Sequence, residues 1–390
     1  MAMGRRKKRV RQEGLWTPTA ALPVSASHPF YQRLNQILDE KKFDERVEAL
    51  CEDFYAGEVG RPGLAPGIYF RLLMVGYFEG IDSERGIVWR ASDSLSIRSF
   101  VRIALDESVP DHSTISRTRR LMDVETHQAV FQWVLEVLAE KKLLKGTTIG
   151  VDATTLEANA ALRSIVRRDT GERYEEFLTR LAKESGMETP TREQLAKLDR
   201  KRPKKGSNDD WTHPHDPDAR ITNKGRTHAS GSQGRARVDM ETGAIGAVTL
   251  HGADVGDTAT IPETVAEAGE RITSVVADTH GDEVVKQVTT DGPREVVTDK
   301  GYHGRALVSE PTEWGLRTYG SEPNRGRQRW QGQQREQQAV YTNRRRIRGE
   351  RASRCCASAA KSWSDGINTY MTGAGCVAYI YAAGKTFSSG

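Results

Sequence analysis

Two aspartates each follow a short run of apolar, largely β-branched residues. Asp152 ends the run at 148–151 (TIGV), and Asp299 ends the run at 295–298 (EVVT). Such runs are typical of short buried strands. Carboxylates are suitable ligands for Mg²⁺ or Mn²⁺, and two such metals about 4 Å apart stabilise the attacking and leaving oxygens of a phosphodiester reaction together. On neighbouring strands, the two aspartates could bridge such metals.

The sequence between the two aspartates predicts the strands and helices that would position them. Two β-rich runs flank a hairpin signal at 241–243 (ETG), and helical spacing follows from 261 to 268. The order strand, hairpin, helix, strand is that of an RNase H-like fold. We therefore predict a mixed-sheet catalytic domain over 146–351, with a charged, proline-containing insertion at about 163–228.

The residues before this domain follow a helical pattern instead. Apolar side chains recur at helical spacing from Pro29, with helix starts and stops up to about residue 145. We predict an all-helical domain over 29–145, which makes the fold class α+β, or α/β within the second domain. A cluster of cations between Arg5 and Arg11 predicts a basic, disordered arm over 1–28.

The composition excludes several classes of protein. The chain has 390 residues, is 37% hydrophobic and carries a net charge of +5, which suits two or three domains. It has no run of about 18 apolar residues and no apolar segment after its first cations, so we expect a cytoplasmic protein with no membrane partner. Its four cysteines lack zinc-finger spacing, which argues against structural zinc and a disulfide framework.

A second cluster of cations precedes the C-terminal tail. It consists of Arg344, Arg345, Arg346 and Arg348. Clustered cations favour contacts with phosphate groups. The alternative is a solvated basic face of a helix.

Several short motifs are together similar to one family. They lie at 60–64 (GRPGL), 82–85 (DSER), 95–98 (LSIR), 110–117 (PDHSTISR), 151–154 (VDAT), 216–220 (DPDAR), 299–302 (DKGY) and 341–347 (YTNRRRI). From about Pro29 to Gly349 the chain resembles the insertion-sequence transposases with an Asp-Asp-Glu (DDE) site and an InsH-like N-terminal helical domain.

This resemblance implies a function for each part of the chain. Asp152 and Asp299 would be the first two metal-binding carboxylates, and the cations at 344–348 would hold the DNA backbone near Mg²⁺ or Mn²⁺. The helical domain would help to recognise the terminal inverted repeats of the element. Water would attack the end of the element, and the freed 3′-hydroxyl would attack target DNA. The partners would be both DNAs and a second copy of the chain on DNA, in the bacterial cytoplasm at the nucleoid.

The chain departs from this family after Arg351. The family's next motifs, Glu-Arg-Ser-Phe-Ala-His and later Leu-Arg-Arg-x-His-Leu-Arg-Gly, are absent from residues 352–390. A shifted reading of this tail, with suitable degenerate bases, restores the second motif and places a glutamate across codons 363 and 364. We hypothesise a frameshift near 351–354 and an out-of-frame tail over 352–390. A similar local shift at 232–237 would read His-Lys-Ala-Glu-His-Ala.

The glutamate of the absent Glu-Arg-Ser-Phe-Ala-His motif is the family's third metal-binding acid, and its loss would change the activity of the chain. A site that must hold two metals loses most of its activity when one carboxylate is missing, so we expect this copy to be inactive. Glu350 is the nearest remaining acid and thus a candidate for the third position. Two other functions stay open: a DNA-binding remnant that occupies inverted repeats without cutting them, and an RNase H-like metal nuclease without end recognition.

Overall fold

The computed structural model describes most of the chain between residues 29 and 352. The described ranges are 29–56, 63–157, 164–202, 207–214, 217, 219–224, 227–255, 261–278, 287–299, 303–304, 308–309, 315–322, 326 and 328–352. Only the backbone is described at 153–157, 222–224, 227–235, 250 and 277–278. The predicted arm at 1–28 and the predicted tail from 353 onward lie outside the described residues.

Helices form the first part of the described chain. They are α1 (Pro29–Glu40), α2 (Phe43–Cys51), α3 (Pro66–Glu79), α4 (Glu84–Asp93), α5 (Leu95–Phe100), α6 (His112–Leu121) and α7 (Val124–Glu140). Four of them begin at a residue whose side chain accepts a hydrogen bond from a backbone N–H of the first turn, namely Ser83, Ser94, Asp111 and Asp123. Such caps satisfy donors that have no partner inside the helix, which explains why these helices begin where they do.

Arg71 lies at the centre of this helical region. Its side chain is 0% exposed and donates two hydrogen bonds of 2.9 Å to the Asp44 carboxylate. It also donates to Asn35 Oδ1 at 2.6 Å and to the backbone oxygen of Phe100 at 3.0 Å. One buried guanidinium therefore joins α1, α2, α3 and the end of α5.

Strands and further helices follow α7. The strands are β1 (Thr148–Glu157), β2 (Val166–Arg167), β3 (Trp211–Thr212), β4 (Arg220–Lys224), β5 (Thr227–Asp239), β6 (Ile245–Gly252), β7 (Glu295–Thr298) and β8 (Arg317–Gly320); the helices are α8 (Tyr174–Glu184), α9 (Arg192–Lys201), α10 (Ile261–Asp278) and α11 (Gln334–Ile347). A helical region followed by a mixed sheet with helices confirms the α+β prediction. Within the described residues, no helix is both long and apolar enough to cross a membrane.

The large sheet has the strand order β4-β5-β1-β7-β8, and β6 also pairs with β5. β5 runs antiparallel to β1, β4 and β6, whereas β1, β7 and β8 are mutually parallel neighbours. The segment predicted as an insertion holds α8, α9 and the short β2–β3 pair, with its own core around the buried Trp211.

The two faces of this sheet are covered differently. Ile149, Val151 and Val296 pack into one core with residues of α7 and α10. Side chains alternate between faces along a strand, so Gly150 and Val297 belong to the other face. There Val297 packs with Met240, Tyr319 and Ala352, and a Cβ on Gly150 would lie 2.3 Å from the Met240 sulfur. Gly150 thus gives Met240 room beside β1.

Candidate active site

The two predicted aspartates lie side by side on neighbouring strands. Val151 of β1 pairs with Thr298 of β7 in a parallel ladder. Asp152 and Asp299 are the residues that directly follow this pair. Neighbouring strands lie about 4.8 Å apart, which is within reach of one shared ion. Asp152 is partly buried and Asp299 is exposed, so the pair is open to solvent on the Asp299 side.

The sequence pattern predicts that Asp152 ends its strand, whereas in the structure the strand continues past this residue. β1 continues to Glu157 because β5 accompanies it, with Asp152 opposite Ala236 and Glu157 opposite Gly231. β7 ends at Thr298, directly before Asp299. Asp152 therefore lies within a strand and is paired with β5, whereas Asp299 stands at the start of a loop.

Alternation along the strands also gives the face on which these aspartates lie. Asp152 shares the face of Gly150, and Asp299 shares that of Val297. We call this side of the sheet, which carries Gly150, Asp152, Val297 and Asp299, the aspartate face. It is the face opposite α7 and α10.

Another acidic residue, Glu322, lies at the same end of the sheet but does not join the aspartate pair in a metal-binding group. Gly320 pairs with Thr298, so Glu322 follows two residues beyond the end of β8. Its carboxylate accepts hydrogen bonds from Arg344 Nε at 2.5 Å and Nη2 at 2.7 Å. This arginine holds the pKa of Glu322 below its ordinary value. Glu322 is thus an ionised carboxylate bound to a cation of α11.

The C-terminal part of α11, which carries Arg344, makes a second contact to β8 through the neighbouring Asn343. Asn343 is fully buried; its Oδ1 accepts from the backbone N–H of Gly320 at 3.2 Å, and its Nδ2 donates to the Gly320 oxygen at 2.9 Å. Asn343 and Arg344 therefore fix α11 against the carboxyl end of β8. The sequence prediction missed Glu322, although a short strand that ends near an acid is the same signal that marks Asp152 and Asp299.

The four predicted phosphate-binding arginines differ in their surroundings. Arg344 is engaged with Glu322. Arg346 is partly buried, and the loss of solvent lowers its pKa. Arg345 and Arg348 are exposed. These last two are therefore the better placed to meet phosphate groups.

Glu350, the candidate third acid, lies near the opposite end of the sheet. The next residue, Arg351, donates to the Glu295 carboxylate from Nε at 3.0 Å and from Nη2 at 2.7 Å. Glu295 is the first residue of β7 and also accepts from Thr148 Oγ1, the first residue of β1, at 2.9 Å. The structure therefore does not bring Glu350 to Asp152 and Asp299, which lie four residues further along these strands.

The donor set fits a hard divalent cation only in part. Across the described ranges, no group of three or more His, Cys, Asp or Glu side chains is arranged to hold a metal ion. Mg²⁺ is commonly held by one or two carboxylates together with waters and substrate phosphates. Asp152 and Asp299 supply two such carboxylates, so they fit Mg²⁺ or Mn²⁺ as part of a set.

The comparison with known proteins bears on the helices before this sheet. Residues 21–121 match the family model DUF772, described as a transposase domain. The helical region carries a transposase-type domain. This match spans α1 to α6 and ends before the sheet, and transposases in general bind and cut DNA. No curated protein and no solved structure gives a significant match to the chain.

Proposed function

We propose that this chain derives from a DDE transposase, a metal-dependent enzyme that cuts and joins DNA strands at insertion-sequence ends. Asp152 and Asp299 are the first two metal-binding carboxylates in this proposal. The observation that carries it is the pairing of Val151 with Thr298, which sets both aspartates side by side. The transposase-type helices preceding this sheet supply the class of reaction.

The order of the strands supports an RNase H-like catalytic domain. β1, β5 and β6 form a consecutive antiparallel set, with β4 as an additional strand on β5. β7 and β8 extend the sheet on the other side of β1, parallel to it, and α10 and α11 follow β6 and β8. The order predicted from the sequence corresponds to β1, β5, β6, α10 and β7, and the sheet adds β4 and β8, with α11 after them.

The residues of the site have separate roles in this proposal. Bound Mg²⁺ or Mn²⁺ would stabilise the charge that develops on the attacking and leaving oxygens. Asp152, paired with Ala236 of β5, and Asp299, exposed at the start of a loop, would hold the ions by their carboxylates. Arg345 and Arg348 would contact phosphates of the DNA backbone, which positions a strand without reading its sequence.

We infer that the third metal-binding acid is encoded in the reading frame that the frameshift removed. Glu295 shares the aspartate face with Val297 and Asp299 by alternation along β7. Arg351 binds Glu295, and the buried Ala352 belongs to the same apolar cluster as Val297, so the chain reaches this face of the sheet at 351–352.

Glu350 precedes Arg351, whose contact with Glu295 lies at the opposite end of the strand from Asp299. The proposal therefore gives Glu350 no role and assigns the third carboxylate to the restored frame.

Resequencing of the coding DNA through codons 345 to 390 tests the frameshift. A second frame that reads Val-Val-Glu-Arg at codons 361 to 365 is the expected result. Stop codons or unrelated residues in both other frames would refute the frameshift.

Cleavage by the frame-restored chain tests the catalytic proposal. The substrate is duplex DNA from both flanks of the gene, with Mg²⁺ or Mn²⁺ as the only divalent ion. We expect strand cleavage by the restored chain and a loss of about a thousandfold or more in its Asp152→Asn and Asp299→Asn variants. Equal cleavage by either variant and its parent would refute the assignment.

A second candidate function applies to the chain as printed. Because only two carboxylates meet at the site and no third acid joins them within the described residues, the chain could bind element ends without cutting them. We expect it to bind flank DNA more tightly than an unrelated duplex of equal length, without cleavage in Mg²⁺. A metal nuclease without end recognition would instead bind both duplexes equally.

A further inference from the structure

We propose that α7 couples the aspartate pair to the helical region, so that an ion held by Asp152 and Asp299 also stabilises the helices. The proposal rests on the proposed function for the identity of this ion. It adds a thermodynamic link between two parts of the chain, carried by one helix with two buried sides.

α7 carries two separate stripes of apolar side chains. One stripe packs into the core of the helical region and consists of Val130, Trp133, Val134 and Val137; the other packs into the core of the sheet and consists of Phe131, Leu135, Leu138 and Ala139. Members of each stripe recur at spacings of three and four residues, so each stripe occupies one side of the helix. α7 therefore belongs to both cores at once.

The first side of α7 is joined to α2. The centroids of the Trp133 and Phe43 rings lie 5.0 Å apart, and both side chains are buried. Glu136 of α7 pairs with Arg46 of α2 at 3.8 Å. A partly exposed ion pair contributes little free energy, so the apolar contacts hold α2 on α7.

The second side of α7 is joined to α10 and β1. Leu135 is 0% exposed and shares a core with Val151 of β1. Gln132 Nε2 donates a hydrogen bond to the backbone oxygen of Arg271 on α10 at 3.2 Å. Because Val151 directly precedes Asp152, the core that α7 completes extends to the residue next to the first aspartate.

The connection from α7 to β1 is anchored to the sheet as well. Leu144 is 0% exposed in the core of the sheet. The backbone N–H groups of Lys145 and Gly146 donate to Oδ2 of Asp239, the last residue of β5, at 2.6 and 2.9 Å. Domains joined by a free linker move relative to one another. Here the helical region and the sheet cannot separate without exposing one side of α7.

This arrangement predicts cooperative unfolding of the two regions. Separation of α7 from either core would expose several large apolar side chains, so the slowest hydrogen exchange in both regions should require global unfolding. A ligand that binds the folded state alone stabilises every part of such a unit by the same factor. An ion at the aspartates should therefore protect helices that it does not touch.

Hydrogen exchange followed by mass spectrometry tests the link in the full chain without metal. Leu72→Ala alters the core of the helical region on α3, and Ile272→Ala alters the core of the sheet on α10; both side chains are buried. Each variant should speed the slowest exchange of α3 and of β1 by equal factors of about ten or more. The matched control, Leu178→Ala, alters the separate core around Trp211 and should speed exchange in α8 without this effect on α3 and β1.

Addition of Mn²⁺ to the unchanged chain tests the metal part of the proposal. Saturating Mn²⁺ should slow the slowest exchange of α3 and of β1 by the same factor. Asp299→Asn should reduce both changes equally, because the ion would bind more weakly.

The proposal is overturned if Leu72→Ala speeds exchange in α3 and leaves β1 unchanged, or if Mn²⁺ slows exchange in β1 alone. It is also overturned if Leu178→Ala speeds exchange equally in α3 and β1, because the link would then not depend on α7. A chain in which Mn²⁺ slows neither region would contradict the metal site. The two core variants would still decide whether α7 couples the regions, since that experiment contains no metal.

Discussion

Asp152 and Asp299 follow a paired Val151 and Thr298 on two adjacent parallel strands. Their proximity is therefore a property of backbone register and does not depend on the rotamer of either side chain. A slip of one residue in this pairing would move one aspartate to the next level of the sheet. The spacing of the two aspartates is consequently set by the pairing of β1 with β7.

Metal binding should depend on both aspartates even in the chain as printed. Two carboxylates attract a divalent cation more strongly than one, so Asp152→Asn and Asp299→Asn should each weaken Mn²⁺ binding by about tenfold or more. Electron paramagnetic resonance of free Mn²⁺ measures this directly. Asp291→Asn, an exposed acid before β7, is the control and should leave the affinity unchanged.

The pair Glu322–Arg344 should make stability depend on pH. Arg344 lowers the pKa of Glu322, so the ionised carboxylate stabilises the folded state above its unfolded pKa of about 4.3. That contribution is lost as pH falls through the lower folded pKa. Glu322→Gln should therefore reduce the free energy of unfolding by about 1 to 3 kcal/mol at pH 7.

Thermal unfolding of Glu322→Gln and its parent at pH 7 and pH 3 measures this effect. The difference in Tm should shrink at the lower pH, since the parent's carboxylate then approaches neutrality. A difference that is equal at both pH values would show that the pair contributes no charge-dependent stability.

The buried Arg71 should be indispensable to the helical region. Arg71→Met leaves Asn35 Oδ1 and the Phe100 oxygen without this donor. It also leaves the Asp44 carboxylate with Arg102 as its remaining ion-pair partner in the described chain. A lost hydrogen bond to a charged group typically costs about 1.5 to 3 kcal/mol. Urea unfolding followed by circular dichroism gives the value. Arg33→Met, at an exposed position of α1, should change stability by less than about 0.5 kcal/mol; similar costs for both would contradict the role of Arg71.

Part of this structure could be predicted from local sequence, and part could not. The β-branched runs before Asp152 and Asp299 predict β1 and β7, because these signals lie within a few residues. β8 has only four residues and a weak pattern, so Glu322 was missed.

Contacts distant in sequence explain the remaining differences. The continuation of β1 past Asp152 depends on the length of β5, and the engagement of Arg344 depends on Glu322. Neither is visible in a run of neighbouring residues. The basic cluster at 344–348 therefore predicted the same contact with phosphate for all four arginines. In the structure, Arg345 and Arg348 are the two that are exposed.

Cysteine substitution of one aspartate tests direct metal ligation most sharply. In the frame-restored chain, Asp299→Cys should lose cleavage with Mg²⁺ and regain part of it with Mn²⁺, because a thiolate binds the softer ion better. Asp291→Cys should cleave like the parent with both ions. A variant Asp299→Cys that is fully active with Mg²⁺, or equally inactive with both ions, would contradict the assignment of Asp299 as a metal ligand.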